Sequence, residues 1–244
     1  MYEMMQFRML YFIFTEKITA MKYIFALLFL AVAHLGSAQR ISKITISGTG
    51  NTEMISIQTD DAVINLTPDG TMINYGVEYE SERVTGYTRI EPYMGRVDMF
   101  STYDDKAFQG KVKYLGKTAI TYYASYEDAV LQGKIKSIGS LMIDYYMPYE
   151  DEAFRGKIKD IGSSALTYFS NFDNKLLKGK LKSLGFTSLN YYSSYDDKAF
   201  SGKIKSIGQV SFTYYPSYDN RYAGSIKTGS QLQNVNGVNY YIKF

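Results

Sequence analysis

The residues best placed for chemistry recur at a fixed interval. An aromatic ring followed by two acids stands at Tyr103-Asp104-Asp105, Tyr126-Glu127-Asp128, Tyr149-Glu150-Asp151 and Tyr195-Asp196-Asp197; Phe172-Asp173-Asn174 and Tyr218-Asp219-Asn220 are weakened copies. A row of carboxylates is calcium chemistry, since Ca²⁺ takes six to eight oxygens. The weak candidate ligand set is Asp104, Asp105, Glu127, Asp128, Glu150, Asp151, Asp196 and Asp197. The spacing matches neither the twelve-residue calcium loop nor the glycine-rich nonapeptide. An acid three residues after a small acceptor is also how a turn is capped, and the preferred reading is turn caps and partners for lysine, with no metal and no cofactor.

Tyrosine is the second candidate. The chain holds 25 Tyr and 14 Phe in 244 residues. Aromatic pairs recur at Tyr122-Tyr123, Tyr145-Tyr146, Tyr168-Phe169, Tyr191-Tyr192 and Tyr214-Tyr215, with a third ring three residues on. Exposed rows of such rings could stack on sugars or pack against a partner. The candidate binding residues are Tyr123, Tyr146, Tyr192, Tyr215, Tyr126, Tyr149, Tyr195 and Tyr218. At least half of the tyrosines must instead cover a thin sheet for it to fold. A third row, of lysines at 111, 113, 134, 136, 157, 159, 180, 182, 203 and 205, would suit an acidic polymer. The near-balanced net charge of +3 and the neighbouring acids argue against a nucleic-acid partner.

Catalysis finds little material. There is no Cys, and the single His34 lies in an apolar run. Disulfides, thiolate metal sites and cysteine nucleophiles are excluded. No P-loop or G-x-S-x-G motif occurs. A catalytic centre is a unique constellation, whereas every acidic pair here is repeated, so the chain reads as a non-enzyme.

The elements that position these rows are themselves repeated. The segments GKVKYLG, GKIKSIG, GKIKDIG, GKLKSLG and GKIKSIG begin at Gly110, Gly133, Gly156, Gly179 and Gly202, 23 residues apart. A divergent unit starts at 86 and a degenerate one at 224. Atypical end units are what a stacked array requires. Within a unit, Lys134-Ile135-Lys136 and Met142–Tyr146 alternate as strands do, and Gly139 between them marks a tight turn. The link through Ser194–Phe200 reads as a single helical or 3₁₀ turn. Unit positions 3 and 6 are both aliphatic, which strict alternation cannot bury together, so a bulge is expected near Gly139. Residues 39–85 form further strands, with a turn at Thr67-Pro68-Asp69-Gly70, and cap the array of 86–244.

The predicted fold is therefore all-β: tandem 23-residue hairpins in an elongated, twisted antiparallel sheet. A β-solenoid is the alternative. It would stack identical lysines ~4.8 Å apart, whereas a two-strand unit spaces them at twice that distance.

Residues 1–38 read as a signal peptide. Lys22 precedes the apolar run Tyr23–Leu35, and Gly36-Ser37-Ala38 offers small residues for cleavage. Thirteen residues are too few to span a bilayer, so no transmembrane segment is expected in the mature chain. Glu16-Lys17 suggests that Met21 is the true start. Cleavage after Ala38 removes Glu3, Arg8, Glu16, Lys17, Lys22 and the only His, leaving a net charge of +2. The expected location is periplasm, outer surface or extracellular medium.

The Gly/Tyr-rich unit resembles the short β-hairpin repeats of secreted bacterial proteins of unknown function. Tyr-Asp-Asp-x-x-Phe-x-Gly-Lys-Ile-Lys is similar to the turn-to-strand part of WG-type repeats, and the 23-residue period to that of MORN repeats. The resemblance covers about 86–241 and implies a binding or scaffolding surface rather than an active site. The functional expectation is a secreted, non-catalytic structural or interaction surface at the cell envelope, with a protein or polysaccharide partner; the alternative is a glycan-binding module using exposed Tyr.

Overall fold

A computed structural model describes residues 39–80 and 88–243. The expected signal peptide and the start at Met21 lie outside the described residues. Those residues form twenty strands and no helix.

The first strands are β1 (Arg40–Ser47), β2 (Thr52–Gln58), β3 (Val63–Leu66), β4 (Met72–Glu80) and β5 (Thr88–Pro92), each antiparallel to the next. An antiparallel meander in chain order follows: β6 (Val97–Met99), β7 (Val112–Leu115), β8 (Thr118–Tyr122), β9 (Ile135–Ile138), β10 (Leu141–Tyr145), β11 (Ile158–Ile161), β12 (Ser164–Tyr168), β13 (Leu181–Leu184), β14 (Thr187–Tyr191), β15 (Ile204–Ile207) and β16 (Val210–Ser211). The pair β17 (Thr213–Tyr214) and β18 (Ile226–Thr228) stands apart. Finally β19 (Leu232–Val235) and β20 (Val238–Lys243) return to the first sheet, where β20 lies parallel to β1. The result is a seven-stranded sheet and an eleven-stranded meander. Consecutive antiparallel pairing selects hairpins over coils.

The boundary drawn at 85/86 shifts accordingly. Thr88–Pro92 pairs with β4, and Leu232–Lys243 joins β1. The first sheet is thus built from both ends of the described chain.

Short glycine turns close one rim of the meander. Gly116, Gly139, Gly162, Gly185 and Gly208 have φ between 53° and 59°. A first-position glycine with positive φ is the type II′ solution, whose twist matches the flanking strands. At Gly185 a Cβ would meet nothing within 4 Å, so the backbone conformation alone demands glycine there.

The expected bulge exists and sits three residues before the turn glycine. Tyr145 pairs with Ile158 while Asp144 pairs with Asp160, so Lys159 is the extra residue. The same offset falls at Lys113, Lys136, Lys182, Lys205 and Lys227. One extra residue turns both aliphatic positions inward: Ile158 and Ile161 are both buried, as are their counterparts Ile135 and Ile138.

The two sheets share one core. Ile44, Ile46, Ile55, Ile57 and Ile64 pack on the face made by Ile120, Ile138, Ile143, Leu166, Leu189 and the first Tyr of each pair. Contacts at both ends fix their alignment. Asp61 accepts from the Lys117 amide at the glycine-turn rim, and Pro68 accepts from the Ile158 amide near the opposite rim.

Candidate functional site

The opposite rim of the meander carries the long turns, and the aromatic and acidic rows separate there into distinct roles.

The first Tyr of each pair is interior. Tyr122, Tyr145, Tyr168 and Tyr191 are buried, and each donates its hydroxyl to a carbonyl ten residues back at 2.7–3.0 Å: Val112, Ile135, Ile158 and Leu181. Burial pushes these phenols well above their ordinary pKa. The second aromatic bridges to the next hairpin. Tyr123, Tyr146 and Tyr192 donate to the carbonyls of Ile143, Leu166 and Phe212, each twenty residues on. Burial first, and then Asp144, raise the Tyr123 phenol to about 12.

This placement redistributes the expected binding residues. Tyr123 is buried, Tyr146 and Tyr192 are half-buried among neighbouring rings, and Tyr215 packs 5.5 Å from Tyr222. The strand-end geometry sends the second ring back over the following hairpin, so these four serve packing. Tyr126, Tyr149, Tyr195 and Tyr218 do project into solvent. Sequence reasoning left out Tyr103 and Phe172, which stand at the same 23-residue spacing. Together the six rings are 84–99% exposed.

The lysines follow the rings. Each of the ten places its Nζ 4.9–5.4 Å from an aromatic centroid. Such contacts contribute ~0.5–1 kcal/mol each at exposed sites. The first lysine of each unit also donates to the carbonyl of the next unit's glycine, from Lys111 to Gly133 through to Lys203 to Gly224. Lys180 additionally donates to the Thr49 carbonyl of the β1–β2 turn, and burial there lowers its pKa to about 8.

Carboxylates hold the long turns. The first acid caps its own turn in one of two ways. Asp104, Asp173 and Asp196 accept from both the amide and the hydroxyl of a Ser three residues back, at 2.6–2.8 Å. Glu127 and Glu150 have no Ser there. One oxygen takes the amide of Ala124 or Met147, and the longer side chain carries the other to Lys136 or Lys159 at 2.9 and 3.1 Å. Asp219 faces Pro216, which has no amide hydrogen to offer. These bonds hold the Asp104, Asp173, Asp196 and Glu127 carboxyls below the usual carboxylate range.

The second acid stitches turn to turn. Asp105 accepts from the Ala107 amide and then from the amide and hydroxyl of Ser125, twenty residues on. Asp197 repeats this with Ala199 and Ser217, and Asp151 reaches the Asn171 amide. Asp128 caps Val130, but twenty residues on from it stands Pro148. The carboxylates are thus committed to turns. Among the described residues no three His, Cys, Asp or Glu side chains are grouped to hold a metal ion.

One groove of about 500 Å³ opens between Thr71–Tyr75 and the meander around Lys111, Tyr122 and Lys134. Both lysines that line it spend their Nζ on glycine carbonyls. No carboxylate, serine or histidine joins them in its lining. The six solvent-facing rings on clamped turns are therefore the arrangement with most capacity to act on something outside the chain. Comparison with family models, curated proteins and solved structures finds no match for this chain.

Proposed function

We propose that the chain is a secreted, non-catalytic repeat protein that presents an interaction surface at the cell envelope. One observation carries the proposal: six copies of a solvent-facing aromatic stand in a row along one rim, on turns that neighbouring copies tie together. Folding alone gives no reason to expose a large ring at every copy, because an exposed apolar side chain contributes nothing to burial. The apolar run before Ala38 supplies the address, and the rim's Ser–carboxylate contacts recur from copy to copy as turn caps rather than forming one unique constellation.

Export and display are tested together. Expressed from Met1 in a bacterial host, the protein is expected outside the cytoplasm with Gln39 as its N-terminal residue. Recovery of uncleaved chain from the cytoplasm overturns the address. A variant with alanine at Tyr103, Tyr126, Tyr149, Phe172, Tyr195 and Tyr218 is expected to keep its melting temperature and lose retention on the envelope. Unchanged retention overturns the display role.

A further inference from the structure

We propose that the row of six rim rings stacks on an extended, uncharged polysaccharide laid across the hairpins. The proposal rests on the rim being an interaction surface and names the ligand class that surface fits.

Spacing comes first. Each unit contributes two strands, so successive rings lie ~10 Å apart along the rim. A ligand that engages the whole row must itself be linear and periodic. An extended β-linked glycan repeats on this scale, one disaccharide per ring. A folded protein partner without internal repeats has no such translational period.

The setting of each ring comes second. The rings are preceded by Thr102, Ser125, Pro148, Asn171, Ser194 and Ser217 and followed by carboxylates. Among the described residues, none of the six rings stacks on another ring. The apolar area is therefore a chain of islands in a polar border. A lipid layer is met by a continuous apolar patch, and the buried core of a protein interface is more apolar than such a broken row. A sugar presents a C–H face the size of one ring, framed by hydroxyls that the border can hydrogen-bond.

Charge and rigidity complete the case. Two acidic or amide side chains beside each ring disfavour a polyanion. Lys136 and Lys159 each pair with one rim acid, Glu127 and Glu150, while also lying over an inner ring, and among the described residues the second acid of each of those turns stays without such a partner. Turns already tied by carboxylates lose little freedom on binding, and six weak contacts on one rigid rim combine by multivalency.

The test titrates the full chain with neutral linear β-glycans (glucan, xylan, mannan and chitin oligosaccharides of increasing length), with alginate as the anionic control and anionic phospholipid vesicles as the membrane control. Expected is binding to at least one neutral glycan, tightening with chain length. Tyr126→Ala, Tyr149→Ala and Tyr195→Ala should each weaken it roughly two- to tenfold, and more in combination, at unchanged melting temperature. No binding to any neutral glycan at millimolar concentration overturns the proposal. Equal binding by the triple variant, preference for alginate, or binding only to vesicles does so too. Envelope retention without glycan binding would remove this ligand while leaving the display surface standing.

Discussion

Tyr145 and Tyr149 are four residues apart and both recur every 23 residues, yet they occupy opposite environments. The inner face of the meander buries Tyr145 and its copies under the first sheet, and the hydroxyls of Tyr122, Tyr145, Tyr168 and Tyr191 each donate to a carbonyl. The long-turn rim leaves Tyr149 and its copies 84–99% exposed. The inner row is accounted for by stability. The rim row is not, although its backbone is held as firmly, by carboxylates rather than by apolar contact. Repetition alone therefore does not distinguish core from display. Side-chain direction at the end of each strand does.

The largest expected separation of the two regions is at high pH. The buried phenols have folded pKa values raised above the unfolded value of about 10, so they favour the folded state fully below that pH. As pH rises past 10 the unfolded chain releases protons first, and stability is lost progressively through the folded values. Denaturant unfolding between pH 9 and 12 should show a steep fall. A flat profile would mean the inner row is hydrated. At low pH the effect reverses in place: the rim carboxyls are held low, so their contribution is present above about pH 4 and lost as pH falls through the folded values. Hydrogen exchange there should rise first at Ser101, Ser193 and Ser217, whose amides these acids cap.

Single truncations sharpen the contrast. Tyr168→Ala removes a buried ring and its bond to Ile158, and should cost ~3–5 kcal/mol by chemical denaturation. Tyr149→Ala should leave the midpoint where it is. Equal losses at both sites would erase the distinction drawn here.

The smallest effect concerns the outer face. There Thr121–Ser137, Thr167–Ser183 and Asn190–Ser206 form cross-strand hydrogen bonds, but the corresponding pair is Asp144 opposite Asp160. Like charges opposite one another are destabilising. The double variant Asp144→Thr/Asp160→Ser should raise stability by ~0.5–1 kcal/mol. A loss would assign that acid pair a role of its own.

Much of this was readable from residue order. Glycine at fixed intervals marks the turns because only glycine takes positive φ without strain, and the 23-residue period allows for two strands and two turns per unit. Acid three residues after Ser marks a capped turn, and that is how Asp104, Asp173 and Asp196 are used. The choice of hairpins over coils followed from the repulsion a close lysine ladder would create. Other features were not readable. Tyr123 and Tyr126 look equally available in the sequence, but the strand end sends one ring over the next hairpin and the other into water. The rings were expected to cover the lysine stems and the acids to lie near the ammonium groups; all ten Nζ do stand over rings, and Lys136 and Lys159 also pair with Glu127 and Glu150, but the bonds from the first lysine of each unit to the next unit's glycine carbonyl were not foreseen.

By itself, then, the sequence determined the module: two short strands, a glycine turn, a carboxylate-held turn and a fixed set of side chains, all consequences of local backbone sterics and hydrogen bonds within a few residues. Only the tertiary structure decided which rows are interior. That depended on a bulge at the second lysine, and on a covering sheet assembled from both ends of the described chain with β20 parallel to β1. Pairings between residues nearly two hundred positions apart are set by the burial of one shared apolar face, and burial belongs to the assembled sheets rather than to any single repeat.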